Sequence, residues 1–293
     1  MSGGHFGLIE AGGTKFVLGL ADASGTILAR HRVPTTMPAD TIGAALDWFR
    51  AQGVPLQGVG IASFGPLDLN RASPQWGHVT RTPKPGWSGA DLAGPFARAF
   101  ACPVEVDTDV NGAALAESLW GAGRGKRVCL YLTIGTGVGG GAVVDGRILH
   151  GLSHPEMGHM RLPHHPDDTA FAGACPFHGG CLEGLASGPA ILARWGRSLS
   201  ELPQGGAEQR MIAWYLAQAV CTFQAIMEPD CIVMGGGVTG TPGLLDLIRS
   251  TAEELGAGYF VGRASDIVQA PGLGADAGLM GAYALIAGVR PTS

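Results

Sequence analysis

Between residues 156 and 183 the chain carries His159, Cys175, His178 and Cys181, the last three spaced Cys-x2-His-x2-Cys. Two thiols and two imidazoles this close suit a tetrahedral zinc ion, which takes Cys sulfur and His nitrogen. The alternative for the thiols is a Cys175–Cys181 disulfide. A zinc held by four protein ligands keeps no open position, so its expected role is structural. It would fold a long loop and fix the two carboxylates that bracket it, Glu156 and Glu183.

A second set of residues has the types needed to handle phosphate. Asp107-Thr108-Asp109-Val110-Asn111 closes an apolar stretch that reads as a strand, and its two aspartates would share one side while the chain stays extended. Phosphoryl transfer to a hydroxyl needs alignment, charge neutralisation and one carboxylate to take the hydroxyl proton. Asp109 is the candidate base; its alternative is to cap the following helix, and Asp107 is expected to be structural. Gly12-Gly13-Thr14-Lys15 and Gly135-Thr136-Gly137-Val138-Gly139 each stand between two apolar runs. Gly135, Gly137 and Gly140 match the dinucleotide fingerprint by letters, but that fingerprint opens a helix, whereas this one leads into a second strand and an Asp145-Gly146 turn. No P-loop occurs. What remains is a pair of hairpins whose threonines and backbone N–H groups can cradle phosphate, with Lys15 as a charge partner. Each alone could be a plain tight turn. Glu10, ending the first strand, would either orient Mg²⁺ through water or bond the turn.

The elements that must position these groups repeat. Strands at 5–9, 16–21 and 26–33, a helix at 39–52 and a strand at 59–62 form a first series. A second opens the same way, with strands at 128–134 and 140–144 and a third starting at 147. The repetition predicts two lobes, each offering a glycine hairpin to a shared cleft, with a helix at 111–120 bridging them. Helices are expected at 185–199, 208–227, 244–255 and 276–287, and a short strand at 231–234 ahead of Gly235-Gly236-Gly237. The polar stretch 163–174 belongs to the metal loop.

With 46% hydrophobic and 15% charged residues in 293, the chain is a well-buried globular one and long enough for two lobes. A net charge of −5 without a basic stripe argues against nucleic acid. The low-charge run 278–289 is too short to span a bilayer, and no basic leader precedes the first strand. Cys102, Cys129, Cys221 and Cys231 lie in apolar surroundings and read as buried thiols, so a cytoplasmic protein is expected.

Several motifs together resemble the ROK sugar kinases, in particular their bacterial zinc-dependent fructokinase branch. They are residues 7–16, 60–69, Thr82-Pro83-Lys84-Pro85-Gly86-Trp87, 107–111, 133–141, Pro155-Glu156-Met157-Gly158-His159 and 175–189, spread over nearly the whole chain. The resemblance implies an α/β, two-lobed actin-like ATPase fold of duplicated ribonuclease-H-like domains, with mixed sheets and a central cleft. One lobe would comprise 1–112 plus 277–293 and the other 113–276. It further implies ATP and Mg²⁺ in the cleft, with nucleotide contacts from Gly12, Gly13, Thr14, Lys15, Thr136, Gly137, Gly235, Gly236 and Gly237. Asp109 becomes the general base, and Glu156, His159 and Glu183 face the sugar hydroxyls, with Gly65 and Thr108 beside them. His159, Cys175, His178 and Cys181 become zinc ligands, so one nitrogen of His159 would face metal and the other sugar. The activity implied is ATP-dependent conversion of D-fructose to fructose 6-phosphate by a homodimer. The alternatives are a glucokinase or mannokinase of the same family and a catalytically silent sugar sensor. Two positions depart from the broad pattern, Glu10 for Asp and Thr108 for Asn, both typical of the fructokinase branch. The repressor members carry a helix-turn-helix ahead of the first strand; only about five residues stand before it in this sequence, so a DNA-binding role is not expected.

Overall fold

A computed structural model describes residues 4–288. Residues 1–3 and 289–293, which the expected lobe limits and the run 278–289 reach, lie outside the described residues. Two five-stranded mixed sheets share one plan. In the first, β1 (His5–Ala11), β2 (Lys15–Asp22) and β3 (Ile27–Pro34) form an antiparallel meander, and after α1 (Pro38–Ala51) β4 (Leu56–Ser63) returns parallel to β1. Then α2 (Gly94–Phe100) leads to β5 (Val104–Thr108), parallel to β4, giving the order β3-β2-β1-β4-β5.

The chain leaves this sheet through α3 (Asp109–Trp120) and repeats the plan with β6 (Val128–Ile134), β7 (Val138–Val144) and β8 (Arg147–Ile148). A long loop, α4 (Leu182–Ala186), α5 (Gly188–Trp195) and α6 (Ala207–Met227) precede β9 (Cys231–Gly235). After α7 (Leu244–Gly256) and α8 (Ala264–Ile267) comes β10 (Val268–Gln269), and the order is β8-β7-β6-β9-β10, the first sheet's order over again. The β7–β8 turn places Asp145 at φ 47° and Gly146 at φ 74°, the two left-handed residues such a hairpin needs.

The closing helix α9 (Ala277–Ala287) crosses back and packs Leu279, Ala282 and Tyr283 on Leu8 and Ala62 of the first sheet. Helix α3 packs Ala114 and Leu115 against Val143 of the second. The two crossover helices meet at bare backbone: a methyl group on Gly281 would lie 2.5 Å from the Gly112 carbonyl carbon. At the far end, buried Glu117 of α3 accepts the N–H groups of Ala122 (2.8 Å), Gly272 (3.0 Å) and Leu273 (3.0 Å). That carboxylate clamps α3 to the segment leading into α9, so both crossovers share one anchor. No helix among the described residues is long and apolar enough to cross a membrane.

Several details depart from the sequence reading. The expected helix 185–199 is broken into α4, α5 and a 3-10 turn at Leu199–Glu201, because Ser187 caps a new helix at Ala190 N–H and Pro189 sits in its first turn. Asp109 is not the cap of α3: Thr108 Oγ1 accepts the Asn111 N–H, and Asp109 is the first helical residue. Nor do Asp107 and Asp109 share a side, since the strand ends between them. Cys129 and Cys231 are buried, but Cys102 and Cys221 are only half-buried.

Candidate active site

A cavity of about 450 Å³ opens between the two lobes. Its floor is the β5–α3 junction, where the Thr108 cap releases the Asp109 side chain from helix duty. Burial, above all, pushes the Asp109 carboxyl up to about 7, and the Glu10 and Glu156 carboxylates add to the rise. The Val110 N–H at 2.9 Å, which favours the charged form, only partly offsets this. A carboxyl tuned near neutrality in a cleft is suited to take a proton at physiological pH. Asp107, by contrast, is fully occupied. Its Oδ1 accepts from Thr108 N–H (2.7 Å) and Asn111 Nδ2 (2.8 Å), and its Oδ2 lies 2.9 Å from His150 Nε2 across the lobe boundary. That contact holds the His150 pKa above its ordinary value.

The wall opposite Asp109 is built on β7. A 3-10 turn, Met157–His159, lies flat on this strand because Gly158 has no side chain; a Cβ there would sit 1.8 Å from the Val138 carbonyl oxygen. The turn delivers Glu156 and His159 to the cavity. Glu183, near the start of α4, brings its Oε2 to 3.1 Å from the Val138 N–H, over the second glycine hairpin. Thr108, Gly65, Glu156, His159 and Glu183 thus line one cavity with Asp109.

His159 also faces a cluster. Its Nδ1 lies 3.7 Å from Cys175 Sγ, 3.6 Å from Cys181 Sγ and 3.2 Å from His178 Nδ1, while Cys175 Sγ and His178 Nδ1 are 3.8 Å apart. A tetrahedral ion bound at about 2.3 Å to sulfur and 2.05 Å to nitrogen has S···N edges of about 3.6 Å and N···N edges of about 3.3 Å. These four separations match such edges, all four donors lie within 4.8 Å of one another, and the two cysteines are free thiols. The remaining His159 nitrogen, Nε2, is 4.0 Å from Glu156 Oε2. The preceding stretch is pinned separately: Arg194 of α5 pairs with Asp168 at 2.8 Å, both nearly inaccessible, and Tyr215 donates to the same carboxylate.

A second cavity, about 590 Å³, lies beside the second hairpin, with Gly135, Thr136, Gly188, Leu192 and Gly237 among its lining. The N–H of Gly188 at the start of α5 holds the Gly135 carbonyl at 2.8 Å. Gly137 sits under Glu183 instead, and Gly235 and Gly236 shape the turn after β9, packed against Tyr131 and Ile134. Gly12, Gly13, Thr14 and Lys15 line neither cavity. The first hairpin is tied to the cleft through Lys84, whose ammonium donates to the Gly13 carbonyl. Glu10 is half-buried behind it, where α9 makes room with Gly278, and burial raises its pKa against the pull of Lys15 and Arg32.

Sequence reasoning missed three contributors: Arg81 and Phe177, which line the first cavity, and His154, whose side chain is 5% exposed. Only Phe177 carried a signal, its place inside the Cys-x2-His spacing.

A family model described as the ROK family matches residues 6–289. The chain belongs to the ROK family. Among ROK family relatives it is 51% identical to a fructokinase of Zymomonas mobilis over 96% of this chain and 95% of that one. In structure it is similar to a ROK hexokinase from Thermus thermophilus, with a TM-score of 0.76 at 30% identity over 95% and 96% of the two chains. A ROK family glucokinase from Streptomyces griseus, solved with glucose and AMPPNP, gives a TM-score of 0.74 at 27% identity, covering 98% of this chain and 100% of that one.

Proposed function

We propose that the protein is a fructokinase that moves the terminal phosphoryl group of ATP to fructose, at the 6-hydroxyl, with Asp109 as general base. The observation that carries the reading is the tuned Asp109 carboxyl in the interlobe cavity, in a chain 51% identical to a fructokinase. The hexose would lie against Glu156, His159 and Glu183, whose carboxylates and imidazole accept or donate to its hydroxyls, with Gly65 and Thr108 closing the wall. Asp109 would take the proton of the attacking hydroxyl. Glu183, touching the second hairpin at Val138 N–H, couples sugar and phosphate ends of the cleft.

ATP is assigned to the second cavity, with its phosphates toward the hairpins of Gly12–Lys15 and Thr136–Gly137 and its base beyond Gly237 and Leu192. Mg²⁺ supplies neutralisation of the phosphate oxygens, and Glu10 is the carboxylate placed to orient it through water. The four-donor cluster is assigned to zinc, because two thiols and two imidazoles gathered within 4.8 Å of one another suit that ion and leave no open position. Its role is to hold the loop bearing Phe177 and to fix His159. The lobes are taken as 1–112 with 277–293, and 113–276. A cytoplasmic homodimer belongs to the same reading, on family membership. The test is a coupled ADP-release assay with fructose, glucose and mannose: fructose should give the highest kcat/KM, glucose or mannose in first place would move the substrate assignment, and no release with any hexose would mean a silent sensor.

A further inference from the structure

His154 belongs to none of the groups assigned above, yet its side chain is only 5% exposed on the cavity wall. Its Nε2 accepts the Leu67 N–H at 3.1 Å, so that nitrogen is unprotonated and the ring proton resides on Nδ1. Nδ1 faces Glu156 Oε1 at 3.5 Å. Leu67 follows β4 of the first lobe, whereas residues 154–156 follow β8 of the second. One imidazole therefore spans the two lobes' contributions to one cavity. Ser153 adds a parallel tie, its hydroxyl 3.4 Å from the Leu67 carbonyl oxygen. The ring lies beside Gly65, where a Cβ would stand 3.4 Å from His154 Cε1, an ordinary contact.

Glu156 is half-exposed and, among the described residues, accepts no hydrogen bond from a backbone N–H, so its neighbours decide where its carboxylate points. On one side stands His159, held by the cysteine–histidine cluster; on the other stands His154, held by Leu67. We propose that His154 is a positioning residue that aims Glu156 at the hexose and makes that aim depend on the two lobes being brought together at Leu67. The contact of 3.5 Å is long, as such contacts are before a ligand enters, and it shortens when a sugar hydroxyl occupies Glu156. The sugar-binding carboxylate is thereby ready only when the 65–67 wall is in place.

The inference rests on the sugar-kinase reading of this cavity, and the test separates the two. In the coupled ADP-release assay, His154→Leu keeps bulk but loses both the Leu67 hydrogen bond and the Glu156 contact. His154→Gln keeps one acceptor for Leu67 and one donor for Glu156. The Leu variant should raise the fructose KM roughly 10- to 100-fold, the range for losing a hydrogen bond to a charged group, with kcat and the ATP KM within about threefold. The Gln variant should recover most of that loss. Because His154 acts through Glu156, adding His154→Leu to Glu156→Gln should cost less than about threefold more. A fructose KM within about twofold of native in the Leu variant, or full additivity with Glu156→Gln, overturns the inference. So does a lowered melting temperature with both KM values moving together, the mark of a merely structural histidine. Absence of any hexose-dependent ADP release by the native protein overturns the underlying reading instead.

Discussion

Replacing Asp109 by Asn removes the proposed base while keeping the side chain's shape. Loss of a general base costs about 100- to 10,000-fold in kcat, or about 3–5 kcal/mol of transition-state stabilisation. The fructose KM should move only a few-fold, since Glu156, His159 and Glu183 remain. The native enzyme carries a second signature of the same carboxyl. Its pKa is raised to about 7, so kcat/KM should climb through neutrality and flatten above it. One pH unit below that value about one-tenth of the carboxylate remains, and the rate should fall about tenfold from its plateau. Stability should run the opposite way. An acid whose folded-state pKa exceeds its unfolded value takes up a proton on folding between the two, so stability falls as pH rises from the lower value to the higher and levels off above it. Asp109→Asn should therefore be more stable than native at about pH 8 and little different at about pH 3, where Asp109 is largely protonated both folded and unfolded. The measurements are ADP release and thermal melts across that range. Near-normal turnover in the Asn variant, or an acid limb centred at an ordinary carboxylate pKa, would refute the reasoning.

Metal analysis of the native protein should find about one zinc per chain, and chelation or Cys181→Ser should raise the fructose KM before the ATP KM, with a lower melting temperature. A metal content well below one sinks the assignment. Arg194→Ala strands the buried Asp168 carboxylate and should cost about 3–5 kcal/mol in urea denaturation. A loss under about 1 kcal/mol would mean the pair is solvated in solution. Gly281→Ala should destabilise by about 1–3 kcal/mol, because its methyl group meets the Gly112 backbone. Helix propensity alone predicts a gain of up to about 1 kcal/mol, so the sign of the melting shift decides.

Local rules made much of this protein legible. The period-2 runs, the glycine hairpins, Asp145-Gly146 and the Cys-x2-His-x2-Cys spacing each encode their geometry within a few residues, and the doubled series of strands announced two lobes of one plan. The family motifs did the same for Asp109 and the Glu156–His159 pair. What stayed hidden depends on groups far apart in the chain. Thr108 rather than Asp109 caps α3, a choice between neighbours that backbone geometry makes. Asp109 owes its raised pKa first to burial in the folded chain and then to the Glu10 and Glu156 carboxylates, 99 residues before it and 47 after it. The Glu117 carboxylate gathers the backbone N–H groups of Ala122, Gly272 and Leu273, and His154 finds Leu67 across the cleft. Sequence alone determined the elements, the repeat and the residue types able to do the chemistry, because those follow from short-range sterics and spacing. Only tertiary structure decided which carboxyl is free, how strongly it is desolvated and what aims its neighbours, because burial and long-range contact have no local signature.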